Sequence, residues 1–165
     1  MTSGTITTAN VATAPMLTTA GTEGTNFYTV TFTGGTLNVN EWDIRSVSNA
    51  GVQLGAGVTL TTFDNITWSN TFQTTGGTAD SFLNVTSQTA TLTGHTFPAT
   101  WTGGECAVRL DTSGTLTMTN VTGAFSGDAN DCDAANSRGG VTGTGIVSWG
   151  HAPRHSGSSG YPAIY

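Results

Sequence analysis

The chain has 165 residues, with 8% charged, 36% hydrophobic, 23 Gly and a net charge of -6. Ordinary domains carry about 25% charge, so this surface is close to uncharged. Its only cations besides His are Arg45, Arg109, Arg138 and Arg154, too few to neutralise a phosphate backbone or to hold an anionic lipid surface, which excludes nucleic acid as a partner.

The apolar content excludes a disordered tract, and no apolar run approaches the roughly 18 residues of a membrane helix, so no membrane insertion is expected. The N-terminus shows neither the charged nor the apolar region of a signal peptide. A fragment, a mature segment or a non-classical export route each fits that pattern.

In chain order, the first recognisable element is Gly4-Thr5-Ile6-Thr7-Thr8-Ala9-Asn10-Val11. The phrase returns as Gly35-Thr36-Leu37-Asn38-Val39-Asn40-Glu41-Trp42, then as Val58-Thr59-Leu60-Thr61-Thr62-Phe63-Asp64-Asn65-Ile66 and as Ala90-Thr91-Leu92-Thr93-Gly94-His95-Thr96-Phe97. Its cleanest copy is Gly114-Thr115-Leu116-Thr117-Met118-Thr119-Asn120-Val121, and a worn sixth is Gly143-Thr144-Gly145-Ile146. Alternation of apolar and polar residues is the strand signature, and β-branched Thr suits the exposed side of a pleat.

Each phrase follows a second strand: Tyr28–Phe32, Val52–Leu54, Leu83–Val85 and Val108–Leu110. Gly- or Ser-bearing corners join the two, and a third strand is predicted to start at Val11, Trp42, Ile66, Phe97 and Val121.

The opening apolar residues Ile6, Leu37, Leu60, Leu92, Leu116 and Ile146 stand 31, 23, 32, 24 and 30 residues apart. Long and short steps alternate, so the expectation is an all-β parallel β-helix (β-solenoid) of about six rungs in three double-rung repeats. A recurring loop supports the pairing of rungs: Thr18–Tyr28 resembles Thr74–Phe82. The solenoid is assigned to residues 1–150, and 151–165 to a Gly/Ser-containing tail expected to dock on a neighbouring subunit. The alternative is an antiparallel sandwich, against which stand the missing Asn-Gly hairpin signals and the identical phrases at rung distance.

Thr115-Leu116-Thr117-Met118-Thr119-Asn120-Val121 resembles the strand-turn-strand phrase of right-handed parallel β-helix repeat proteins of bacterial surfaces. The resemblance is one of architecture and implies no single function, because that class holds lyases, adhesins and passenger domains.

Several stretches carry chemistry. Asp128, Asn130, Asp131 and Asp133 offer hard oxygen ligands, so calcium is the one cofactor entertained. Cys106 and Cys132 lie about one rung apart and are expected to form a disulfide. Trp42 takes a core position in its phrase, whereas Trp68 and Trp101 fall in loop-like contexts suited to stacking on sugars. The sequons at Asn65, Asn84 and Asn120 are those expected by chance in so Thr-rich a chain.

Outward Thr5, Thr7, Thr36, Thr59, Thr61, Thr91, Thr93, Thr115 and Thr117 would stack into a hydroxyl-and-methyl array with rungs about 4.8 Å apart. Such an array resembles the ice-binding faces of β-solenoid antifreeze proteins. No Ser- or Cys-based motif stands beside His95, His151 or His155, and a lyase using the carboxylate pair Glu41 and Asp43 would need a cation beside its substrate, of which this chain has few, so no catalytic residue is assigned.

The resulting expectation is a non-enzymatic structural protein, extracellular or at a cell surface, that assembles with itself into a filament or coat. Ice or polysaccharide binding through the Thr array or the loop Trp residues is the alternative, and a carbohydrate-active enzyme fragment the third.

Overall fold

In a computed structural model, residues 4–7, 16–17, 27–69, 81–99 and 106–150 are described. Their alternating stretches form strands β1 (Thr5–Thr7), β2 (Met16–Leu17), β3 (Tyr28–Asn40), β4 (Asp43–Arg45) and β5 (Val47–Asp64). There follow β6 (Thr67–Ser69), β7 (Ser81–Thr93), β8 (Cys106–Thr119), β9 (Asp131–Cys132) and β10 (Ile146–Gly150). The only helical pieces among the described residues are two three-residue 3-10 turns, Asp128–Asn130 and Arg138–Gly140.

Among the described residues every pairing is parallel. One sheet stacks β1-β3-β5-β7-β8-β10, with β9 also on β8, and a second stacks β2-β4-β6. This is a β-solenoid, and the sandwich is excluded because its strands would run antiparallel.

Each turn of the coil has three arms, but the first two form one long bent strand rather than two separate ones. The bend needs glycine. At Gly35 (φ 91) and Gly114 (φ 101) a Cβ would lie 2.3 Å from the Gly4 carbonyl oxygen and 2.0 Å from that of Gln88. The corner between second and third arms is a single left-handed residue, stacked in a column as Glu41 (φ 63), Asn65 (φ 54), Gly94 (φ 74) and Asn120 (φ 51). Asn tolerates this conformation better than most side chains, and the Asn65 Nδ2 donates to Asn40 Oδ1 at 2.7 Å on the rung before it.

The third arm then begins at the expected places, with backbone bridges continuing it through Thr67, Thr96 and Thr122. Val11 lies outside the described residues, as do Trp101, His151, His155 and the tail 151–165.

The inward side chains make one column-built core: Leu37, Val39, Val52, Leu54, Phe63, Leu83, Val85, Leu92, Val108, Leu110, Leu116 and Met118 are all buried. Burying such side chains stabilises the fold by about 1.5–3 kcal/mol each.

Observed steps between paired residues alternate as expected. They are 31 for Ile6 to Leu37, 23 for Leu37 to Leu60, 31 for Val52 to Leu83, 25 for Leu83 to Val108 and 31 for Leu116 to Val147. The shortest step has a local cause: a lone left-handed Ser46 (φ 55) turns β4 directly into β5.

Three details of the sequence reading need correction. Full-length rungs number about four (β3, β5, β7 and β8), flanked by the short β1 and β10, slightly fewer than the expected six. Leu92 pairs with Met118, and Leu116 with Ala90, so the expected stacking of Leu92 on Leu116 slips by two residues. Ile146 is 37% exposed, and Val147, at 5%, takes the inward place over Leu116.

Cys106 and Cys132 are bonded, with Cα atoms 5.6 Å apart, and both are fully buried beside Val141. Closing a loop of 26 residues stabilises the fold by about 3 kcal/mol.

Candidate binding face

Parallel stacking converts each repeated outward position into a column with about 4.8 Å between rungs and about 6.6 Å between alternate residues. On the second arm the first column holds Thr5, Thr36 and Thr59, continued beyond β5 by Thr89 and Thr115. The second column holds Thr7, Asn38 and Thr62, then Thr91, Thr117 and Ser148. A third holds Asn40 and Asp64, then Thr93 and Thr119.

Thr61 is exposed but sits at a bulge, where the register jumps from Leu37/Leu60 to Asn38/Thr62. Thr62, Thr89, Thr119 and Ser148 therefore belong to the face without having been singled out. The unbroken alternation of Thr89-Ala90-Thr91-Leu92-Thr93 could have revealed Thr89, and the doubled Thr61-Thr62 between Leu60 and Phe63 is the break in alternation that an extra, bulged residue leaves.

Polar side chains on this face tie rung to rung. Thr62 Oγ1 donates to Asn38 Oδ1, and the hydroxyls of Thr93 and Thr119 share a hydrogen bond of 2.8 Å. Backbone pairing between β5 and β7 is confined to Val52–Leu54 with Leu83–Val85. Along the second arm side chains bridge that interval: Gln88 Nε2 donates to the Val58 carbonyl at 2.8 Å and Asp64 Oδ1 accepts from the Thr93 amide at 2.8 Å.

The other two arms carry ion pairs, Arg109 with Asp111 and Arg45 with Asp43 at 2.6 Å. The second arm presents Thr, Ser and Asn, with Ile146 exposed over Thr115 at the end of the first column and Asp64 turned to the backbone.

The aromatic candidates sit elsewhere. Trp68 is a correction: it lies on β6, 1% exposed, stacked on Phe97 with ring centroids 6.2 Å apart, and cannot meet a sugar. Trp42 is half-buried against the core, with its indole nitrogen buried and unpartnered among the described residues.

His95 is fully buried. Its Nε2 donates to the Phe63 carbonyl at 2.7 Å and its Nδ1 accepts from Trp68 Nε1 at 3.2 Å, a pairing that fixes the neutral tautomer. Burial lowers its pKa to about 4, against which the Phe63 carbonyl bond works. It is a core residue without access to substrate. Glu41 and Asp43 are not a reacting pair either, since Asp43 is held by Arg45 and, at 2.6 Å, by the Ser69 hydroxyl.

The acidic loop closes onto the last rung. Asp128 is exposed, and Asn130 donates from Nδ2 to the Ser126 carbonyl at 3.2 Å. Asp131 and Asp133 are buried, 1% and 2% exposed. Asp131 accepts from Trp149 Nε1 and Asn136 Nδ2. Asp133 accepts on Oδ1 from the amides of Ala135 (2.9 Å) and Asn136 (3.2 Å), and on Oδ2 from that of Val147 (2.8 Å).

Burial raises the Asp131 pKa to about 6, with the Trp149 hydrogen bond opposing it and the neighbouring Asp133 charge adding to it. A cleft of about 360 Å³ runs beside these groups. Among the described residues no group of three His, Cys, Asp or Glu side chains is placed to hold a metal ion. Calcium would have to draw both buried carboxylates away from these donors.

No family model, curated protein or solved structure matches this chain.

Proposed function

We propose that the chain is a non-enzymatic structural protein of an extracellular or cell-surface setting, a β-solenoid unit that stacks end to end with its like into a filament or coat. The carrying observation is that outward polar side chains on all three arms bond to their counterparts on the next rung. Thr29 meets Ser48 at 2.6 Å on the first arm, Thr93 meets Thr119 at 2.8 Å on the second, and Thr96 meets Thr122 at 3.1 Å on the third. These outward hydroxyls hold one rung to the next.

A parallel stack also has the same geometry at each step, so a further copy is met as one more rung, and head-to-tail contacts that do not close give fibres. The buried disulfide fits an oxidising compartment.

Electron microscopy of concentrated protein tests the reading. Filaments whose diffraction shows an axial repeat of about 4.8 Å are expected. Particles of single-chain size at every concentration would overturn it.

The columns of Thr favour a second reading, in which the uncharged second arm binds an ordered, repeating surface, ice or polysaccharide. Thr91→Tyr or Thr117→Tyr places a large ring in the middle column without touching the core. Either change is expected to abolish thermal hysteresis or polysaccharide pull-down, while Thr31→Tyr on the first arm leaves both intact. Equal activity of all three variants would remove the face from consideration.

A further inference from the structure

The cleft beside the acidic loop is lined by four consecutive residues of β10, Ile146 to Trp149. Successive strand residues point to opposite faces, so a cleft that touches all four runs along the strand's edge. Among the described residues β10 pairs on its other side with β8 alone. The Val147 amide does not enter that ladder and donates to Asp133 Oδ2 at 2.8 Å. A second carboxylate, Asp131, holds the Trp149 indole of the same strand.

The loop bearing both is tied down independently. The Cys106–Cys132 bond fixes it to β8, the Ala134 amide donates to the Gly145 carbonyl at 2.9 Å, and Arg138 reaches the Ala129 carbonyl. An edge strand whose ladder donor is occupied by an inward carboxylate is a standard means of refusing another strand.

We infer that Asp133 is a gate on strand addition at the β10 edge, occupying the place that strand β1 of a second copy of this chain would take. The occupant follows from continuity of the stack. A parallel strand with outward Thr and an inward apolar residue extends every column, and Thr5-Ile6-Thr7 already pairs in that way with Thr36-Leu37-Asn38. Joining β10 to β1 reproduces the same step between copies. The inference rests on the end-to-end reading given above and adds where growth is controlled.

Asp133→Asn separates the two duties of this side chain. The remaining carbonyl oxygen still accepts from Ala135 and Asn136, while the new NH2 group cannot accept from Val147. Hydrogen exchange at the Val147 amide is expected to accelerate about tenfold or more, the worth of a charge-assisted hydrogen bond. Sedimentation should then show D133N associating at concentrations where the wild-type chain does not, with D133N/I6P back to wild-type behaviour because Pro disrupts β1 pairing.

Association of D133N no stronger than wild type, despite faster exchange, would overturn the gate. So would association undiminished by Ile6→Pro. Exchange in the wild type itself gives a check independent of any variant, since an unprotected Val147 amide would also overturn it. A wild type that stays single while D133N polymerises would sustain the gate and remove the ungated filament.

Discussion

Trp68→Ala is expected to destabilise the protein by about 3–5 kcal/mol, a large part of the about 5–15 kcal/mol that holds a typical domain folded. Trp68 is 1% exposed and serves as the centre of an aromatic cluster. It stacks on Phe97, with planes 6° apart, tilts against Phe82 at 5.9 Å and meets Phe63 edge-on at 6.3 Å between centroids. Two rungs contribute to that cluster, because Phe63 and Trp68 belong to β5 and the arm that follows it, and Phe82 and Phe97 to β7 and the arm that follows it. Truncation therefore opens a cavity between rungs rather than within one, where a strand-built core has little freedom to collapse.

It also leaves His95 Nδ1, fully buried, without its donor. Urea midpoints followed by far-UV circular dichroism would measure the loss. Trp68→Phe should recover much of the packing and fall between the two. A Trp68→Ala protein within about 1 kcal/mol of wild type would mean that the ring is not at the centre of the core.

The fate of Trp68 shows what the sequence could and could not disclose. Coil architecture was legible because stacking demands like residues at like positions. The phrases Thr5-Ile6-Thr7, Thr36-Leu37-Asn38 and Thr59-Leu60-Thr61 follow one another at steps of 31 and 23, and Ile6, Leu37 and Leu60 pair in the structure as spaced in the chain. The disulfide was legible for the same reason, since a separation of 26 is near one rung.

Register beyond β5 was not. Ala90 and Leu92 are both inward, as are Leu116 and Met118, and either leucine pairing satisfies the alternation. Only the corner glycines decide between them, and Gly114 faces Gln88, a residue with no glycine signal. Trp68 read as a loop residue because its strand is three residues long, too short for any periodicity to show. Long-range contacts placed Asp131 and Asp133 as well. In sequence they form a polar run, and only the return of Val147 and Trp149 beside them makes the pair structural.

Between pH 6 and pH 4 the wild-type protein is expected to lose or gain less stability than either of two variants, because two buried groups oppose each other. His95 has its pKa lowered by burial to about 4, while an unfolded His titrates near 6.5. The unfolded chain takes up that proton first, so the His95 contribution is complete above pH 6.5 and is lost as the pH falls to 4. It amounts to about 3 kcal/mol. Asp131 works in the other direction. Its pKa is raised by burial from 3.8 to about 6, so the folded chain takes up the proton first. Stability is therefore gained as the pH falls from 6 to 3.8, again by about 3 kcal/mol.

His95→Gln keeps a donor for the Phe63 carbonyl and an acceptor for Trp68 while removing the titration. Its stability relative to wild type should rise by about 3 kcal/mol between pH 6.5 and 4. Asp131→Asn should fall relative to wild type by a similar amount between pH 6 and 4. The exposed carboxylates titrate alike in all three proteins and cancel on subtraction. Urea midpoints at pH 4, 5, 6 and 7 supply the comparison, and midpoint curves for His95→Gln that run parallel to wild type would show that His95 is not held neutral in the core.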